Sequence, residues 1–287
     1  MTLARTGDLI AAAVSARSAV LAFNVITLEH AQGIVGGLEH AGAAGILQVS
    51  ENAVHFHHGR MEPLLAACRE LADEATVPVA IHLDHFQDAA LTAKGIRLAA
   101  RLGVTSVMVD AAHLPYTDNV AATAALAQTA HREGLWVEAE LGAIGGKAGA
   151  HTPGVRTDPE EARDFVERTG VDGLAVAVGS THAMTSAGAS VDIGLLERLA
   201  ALVPVPLVLH GSSGVTPDSL GAAVRAGIRK VNVGTALNVA YTGEIRRLLD
   251  GDARVTDPRA YLAGARDAVS ESVLRLCSLV RQPSPQP

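Results

Sequence analysis

Three histidines, His85, His182 and His210, each follow an apolar run, and the carboxylates Asp84, Asp110 and Glu140 occupy comparable positions. Three imidazoles with an open fourth position form the donor set of a catalytic Zn²⁺. Asp84 adjoins His85, so one of the pair is placed to hold a metal while the other moves a proton. The plainer alternatives are that Asp84 caps a helix and that each histidine is a hydrogen-bonded polar residue at a layer boundary. For one histidine alone the plainer reading is the better one, so the elements that carry all three must decide. Asp110 and Glu140 supply either a second metal position or outer partners for the ligating rings.

Those elements alternate regularly. Apolar runs at 19–25, 45–50, 77–83, 105–109, 135–141, 172–178, 205–209 and 229–233 read as strands covered on both faces, as parallel strands are. Stretches of helical period separate them, and long helices follow at 237–249 and 258–279. The segment 51–59, with His55, His57 and His58, reads as a solvated loop. Eight β/α units with no composition break predict a single (β/α)8 TIM barrel with a C-terminal helical extension, spanning residues 1–281 and followed by a disordered tail, 282–287. A doubly wound open sheet is the alternative, but it has no reason to stop at eight strands. In a barrel every strand ends on one face, where active sites are built. Asn24, Ser50, Asp84, His85, Asp110, Glu140, His182, His210 and Asn232 are therefore expected at one mouth, above strand bodies that look almost purely apolar. Their joint arrival there favours the metal.

The composition sets bounds. The chain has 287 residues, 48% of them hydrophobic, and so can bury a large single core. Its net charge of −7 and scattered basic residues argue against a nucleic-acid face. Cys68 and Cys277 lie far apart and read as reduced thiols, and no uncharged run reaches the length of a membrane span. The expectation is a cytoplasmic protein without a membrane partner. Gly211-Ser212-Ser213-Gly214 after the seventh strand and Gly234-Thr235 after the eighth occupy the place where barrels commonly bind phosphate. Two tight turns that need glycine are the simpler reading for either alone.

Six ordered segments carry a resemblance: Leu83-Asp84-His85, Val107-Met108-Val109-Asp110, Val137-Glu138-Ala139-Glu140-Leu141-Gly142, Gly179-Ser180-Thr181-His182, Leu209-His210-Gly211-Ser212-Ser213-Gly214 and Val231-Asn232-Val233-Gly234-Thr235. Together they resemble the class II ketose-bisphosphate aldolases of the fructose- and tagatose-bisphosphate type, from about Asn24 to Arg259. The resemblance implies reversible cleavage of a ketose (bis)phosphate to dihydroxyacetone phosphate and an aldehyde, such as glyceraldehyde 3-phosphate, through a zinc-stabilised enediolate. It makes His85, His182 and His210 the Zn²⁺ ligands and Asp84 the acid/base at the substrate hydroxyl. Asp110 and Glu140 match an alternative metal position, which leaves a second mono- or divalent cation open. Gly211, Ser212, Ser213, Asn232, Val233, Gly234 and Thr235 match the groups that hold the phosphorylated substrate, with Asn24, Ser50 and Arg259 as weaker matches. A homo-oligomer, dimer or tetramer, is expected.

Two departures bear on the chemistry. The family usually has an acidic pair in the glycine-rich lid, but here no carboxylate stands between Glu140 and Asp158. His151, in the lid-like loop that begins at Gly142, is the candidate replacement base. Ala183 also stands where the family often has glycine. The competing readings are a Schiff-base aldolase using Lys94, Lys147 or Lys230, a class II paralogue acting on a non-glycolytic ketose phosphate, and a catalytically silent zinc- and sugar-phosphate-binding protein.

Overall fold

The computed structural model describes residues 3–142, 156–179 and 191–280. A helix, α1 (Thr6–Ser15), precedes β1 (Val20–Asn24), α2 (Leu28–Ala41), β2 (Gly45–Ser50), α3 (Glu51–Phe56), α4 (Glu62–Glu74) and β3 (Val79–Phe86). The chain continues through α5 (Ala89–Leu102), β4 (Ser106–Val109), α6 (Tyr116–Arg132), β5 (Trp136–Leu141), α7 (Pro159–Thr169), β6 (Gly173–Val176) and α8 (Ile193–Leu202). It ends with β7 (Leu207–Leu209), α9 (Pro217–Ala226), β8 (Ile228–Val233), α10 (Thr235–Gly251) and α11 (Pro258–Val280). The eight strands pair in parallel and in sequence order, and β8 returns to β1 to close the barrel. The (β/α)8 barrel and its helical extension are as the sequence predicts.

Local signals place the helices. The side chains of Thr27, Ser50, Asp88, Asp158, Asp192 and Thr216 accept hydrogen bonds from backbone N–H groups in the first turns of α2, α3, α5, α7, α8 and α9. The Ser50 cap is why the segment expected as a loop after β2 instead opens as α3. His57 then turns back to place Nε2 2.8 Å from the Ile26 carbonyl.

Strand side chains alternate between two environments. Outward residues such as Leu21, Phe23, Leu47, Val49, Ile81, Leu83 and Val137 pack against the helices in the main core. Inward, Ala22, Ile46 and Ala80 meet Leu9 and Ile10 of α1, which plugs the barrel floor. The layer above that floor is not apolar. Gln48, His82, Ser106, Glu138 and Lys230 are fully buried there, which corrects the expectation of almost purely apolar strand bodies.

A second correction concerns β3. It does not stop before Asp84 and His85 but runs through them to Phe86, with a register shift between Leu83 and Phe86 against β4. His85 takes up the irregularity at φ +53°, a region rare for a non-glycine residue. The bulge sits at the barrel rim, where it re-aims a side chain.

The extension is seated by close helix contact. A Cβ on Gly33 would lie 2.6 Å from the Arg266 carbonyl oxygen, and one on Gly37 2.6 Å from that of Ser270, so α2 approaches α11 backbone to backbone. Gly37→Leu is expected to wedge the two helices apart at a cost of about 3 kcal/mol, the upper part of the range for overpacking. Urea unfolding reads this as a lowered midpoint at unchanged slope, and a parent-like midpoint would contradict the close approach.

Candidate active site

The bulge in β3 turns His85 toward β4 and β7. Its Nδ1 lies 3.0 Å from Asp110 Oδ2, just past the end of β4. Its Nε2 lies 2.7 Å from Nδ1 of His210, which follows β7. The far side of the His210 ring places Nε2 2.9 Å from Glu138 Oε1, in the middle of β5. Glu140, two residues further along β5, brings Oε2 to 4.0 Å from His85 Nδ1. All five groups are buried.

Protonation follows from the partners. A carboxylate only accepts, so the contacts to Asp110 and Glu138 put a proton on the nitrogen facing each of them, and at His210 this outweighs the Asn232 Nδ2 donor, which lies 3.1 Å from the same Nε2. The inner nitrogens, His85 Nε2 and His210 Nδ1, then present lone pairs to each other at 2.7 Å, an unfavourable encounter unless something positive lies between them. A second proton on His210 is opposed by burial and by neighbouring His85, which hold its pKa at about 4. A cation resolves the conflict. With Zn–N bonds of about 2.0–2.1 Å in tetrahedral geometry, the two nitrogens need part only to about 3.3 Å. Potential ligand atoms of His85, Glu140 and His210 all lie within 4.8 Å of one another. Nitrogen and carboxylate donors of this kind suit a first-row divalent metal, and the carboxylate behind each imidazole is the usual outer support.

Asp84 lies beside this centre. Its Oδ1 accepts from Asn232 Nδ2 at 3.1 Å and its Oδ2 from Asn24 Nδ2 at 3.4 Å. Asn24 Oδ1 in turn accepts from Gln48 Nε2. Asp88, not Asp84, caps α5, so the helix-cap alternative for Asp84 does not hold. Ser50 pairs in register with Asp84 and caps α3.

The turns after β7 and β8 adjoin each other. Gly211 is left-handed at φ +65°, Ser212 Oγ donates to the Asn232 carbonyl at 2.6 Å, and Ser213 Oγ accepts from Ala236 N–H at 3.0 Å. Gly234 and Thr235 open α10, and a Cβ on Gly234 would press on Asn24 at 3.3 Å, while Val233 is buried in the outer core. Arg259 is carried by the C-terminal extension. It lies in the first turn of α11 with its guanidinium exposed and paired to Asp257. His182 and His151 lie outside the described residues.

The profile of the class-II fructose-bisphosphate aldolase family matches residues 4–283. The chain belongs to this family. It is 35% identical over 278 residues to a fructose-bisphosphate aldolase of Geobacillus stearothermophilus, covering 96% of this chain and 95% of that one. It is also similar to the crystal structure of the YdjI aldolase of Escherichia coli K12, with a TM-score of 0.82, 29% identity and 96% of each chain covered. The fructose-bisphosphate aldolase of Campylobacter jejuni shares the fold, with a TM-score of 0.80 at 19% identity, over 95% of this chain and 93% of that one. The protein is thus an aldolase, a carbon–carbon lyase.

The two described lysines of this aldolase do not favour Schiff-base chemistry. Lys94 pairs with Glu62 on the outer helices, and Lys230 is enclosed in the barrel against Glu138. Lys147 lies outside the described residues.

What the sequence reading overlooked is the layer below the mouth, and its signal was the strand period. Gln48, His82, Glu138 and Lys230 each stand two residues before Ser50, Asp84, Glu140 and Asn232, so each points inward beneath a mouth residue. Burial opposes the charge on Glu138, but Lys230 and the hydrogen bond from His210 outweigh it and keep the carboxyl below its usual range. Burial and Lys230 push His82 down to about 3.

Two depressed histidines set a pH window. Above the unfolded value of 6.5 both rings are neutral in either state and their contribution is complete. Below it the unfolded chain takes up protons that the folded chain refuses until about pH 3–4, so stability falls with pH across that interval. The urea midpoint of metal-free protein is expected to drop between pH 6.5 and 4, and His82→Gln to flatten the decline. A midpoint constant over that range would contradict buried neutral rings.

Proposed function

We propose that this aldolase reversibly cleaves a ketose (bis)phosphate to dihydroxyacetone phosphate and an aldehyde such as glyceraldehyde 3-phosphate, using a divalent metal, Zn²⁺, held by His85, His210 and His182. The observation that carries the proposal is the pair of imidazole nitrogens facing each other at 2.7 Å, each ring backed by a carboxylate. His182 joins them on the sequence motif alone. A metal bound there polarises the substrate carbonyl and offsets the negative charge that develops on its oxygen.

The remaining roles belong to the chain's own groups. Asp84, held between Asn24 and Asn232, takes the proton from the substrate hydroxyl in cleavage and returns it in condensation. The left-handed Gly211, the Ser212 and Ser213 hydroxyls and the N-terminus of α10 at Gly234-Thr235 supply small residues and backbone N–H groups suited to a phosphate. Asp110 and Glu140 orient His85 or take up a second cation. His151 is proposed as the base at the substrate carbon, because the lid has no carboxylate. That same lack supports a second reading, that the natural substrate is a ketose phosphate other than a common sugar bisphosphate.

A panel of ketose phosphates, assayed for release of dihydroxyacetone phosphate, tests the substrate, and a chelator tests the metal. Full activity in metal-free protein would falsify the metal role. Asp84→Ala is expected to retain the metal and lose about 10²–10⁴-fold in cleavage rate. Cleavage at the parent rate in that variant would remove Asp84 from the reaction.

A further inference from the structure

Lys230 is fully buried in the middle of the barrel, below the mouth, and touches two groups that the chemistry uses. Its ammonium donates to Glu138 Oε2 at 2.8 Å and to Asn232 Oδ1 at 2.7 Å. A lysine offers three donors and no acceptor, so it dictates how both partners stand. Asn232 must turn its oxygen toward Lys230, which leaves its Nδ2 to donate to Asp84 Oδ1 and places it 3.1 Å from His210 Nε2. Glu138 keeps one oxygen on Lys230 and gives the other to His210 Nε2.

We infer that Lys230 is a positioning residue that fixes, from one buried charge, both the metal-facing nitrogen of His210 and the orientation of the acid/base Asp84. The inference rests on the proposed roles of His210 and Asp84 and adds a part that neither sequence motif contained. Its energetics point the same way. A buried ion pair is commonly no more stabilising than apolar residues of the same volume, so stability alone gives little reason to keep one in this layer. Without Lys230 the Asn232 amide is held in this orientation by Asp84 alone, and Glu138 becomes an uncompensated buried charge.

The test separates positioning from filling. Lys230→Met alone leaves Glu138 unpaired and is expected to unfold at lower temperature. The double variant Lys230→Met/Glu138→Gln removes both charges and is expected to recover a metal-free Tm near the parent's. Its metal affinity, read by chelator competition, is expected to stay about 10–100-fold down, the usual cost of losing an outer-shell partner. Its kcat is expected to fall with KM nearly unchanged. A double variant that folds and matches the parent in metal affinity and kcat would overturn the inference.

A measurement on the parent alone covers the case in which neither variant folds. The ring ¹⁵N signals of His210, assigned by difference from His210→Gln, are expected to show the Nε2–H tautomer in metal-free protein, and an Nδ1–H tautomer would overturn the inference. The two proposals fail separately. A parent that binds metal but cleaves no ketose phosphate sinks the substrate reading, while the double variant's metal affinity still decides the role of Lys230. A parent that binds no metal sinks the proposed function, and the tautomer then decides for Lys230.

Discussion

The site depends on one constraint: a carboxylate cannot donate. Asp110 and Glu138 each accept from the outer nitrogen of an imidazole, and that fixes where the ring protons are. The inner nitrogens are left as bases, close together and closed off from water. Everything around them serves this arrangement. The bulge in β3 aims His85 inward, and Lys230 keeps Glu138 charged in a place where burial alone would favour its neutral form.

The barrel supplies this geometry because strand side chains repeat every two residues. Four mouth residues therefore have a polar residue directly beneath them on the same strand. Glu138 lies under Glu140, Lys230 under Asn232, His82 under Asp84 and Gln48 under Ser50. The lower layer is joined to the upper one by hydrogen bonds, Gln48 to Asn24 across strands and Lys230 to Asn232 along β8 among them. Within the lower layer His82 bonds Ser106, Ser106 bonds Thr6 of α1, and α1 closes the floor. Rim side chains such as Asn24 and Asn232 are thus positioned by buried polar ones, so an apolar substitution at Gln48 or Lys230 should be felt at the mouth.

Much of this was legible in the sequence. Alternating apolar runs and helix signals gave eight β/α units, and strand ends gave Asp84, His85, Asp110, Glu140, His210 and Asn232 as one group. Three things were hidden, each for a physical reason. The bulge at His85 was hidden because a single residue in a left-handed conformation leaves no mark unless it is glycine. The helix after β2 was hidden because three histidines in a short polar stretch outweighed the Ser50 cap that starts it. The polar middle layer was hidden because Gln48, His82, Ser106, Glu138 and Lys230 are isolated among apolar neighbours, and a strand read as a buried run conceals which of its residues face the barrel axis.

The central claim is that His85 and His210 turn their inner nitrogens to a shared metal. X-ray absorption at the metal edge of the loaded protein tests it most directly. The account predicts a first shell of nitrogen and oxygen near the usual ~2.0–2.1 Å, with the outer-shell scattering of at least two imidazoles that weakens in His210→Gln. A metal spectrum without imidazole scattering, or one unchanged in His210→Gln, would contradict it.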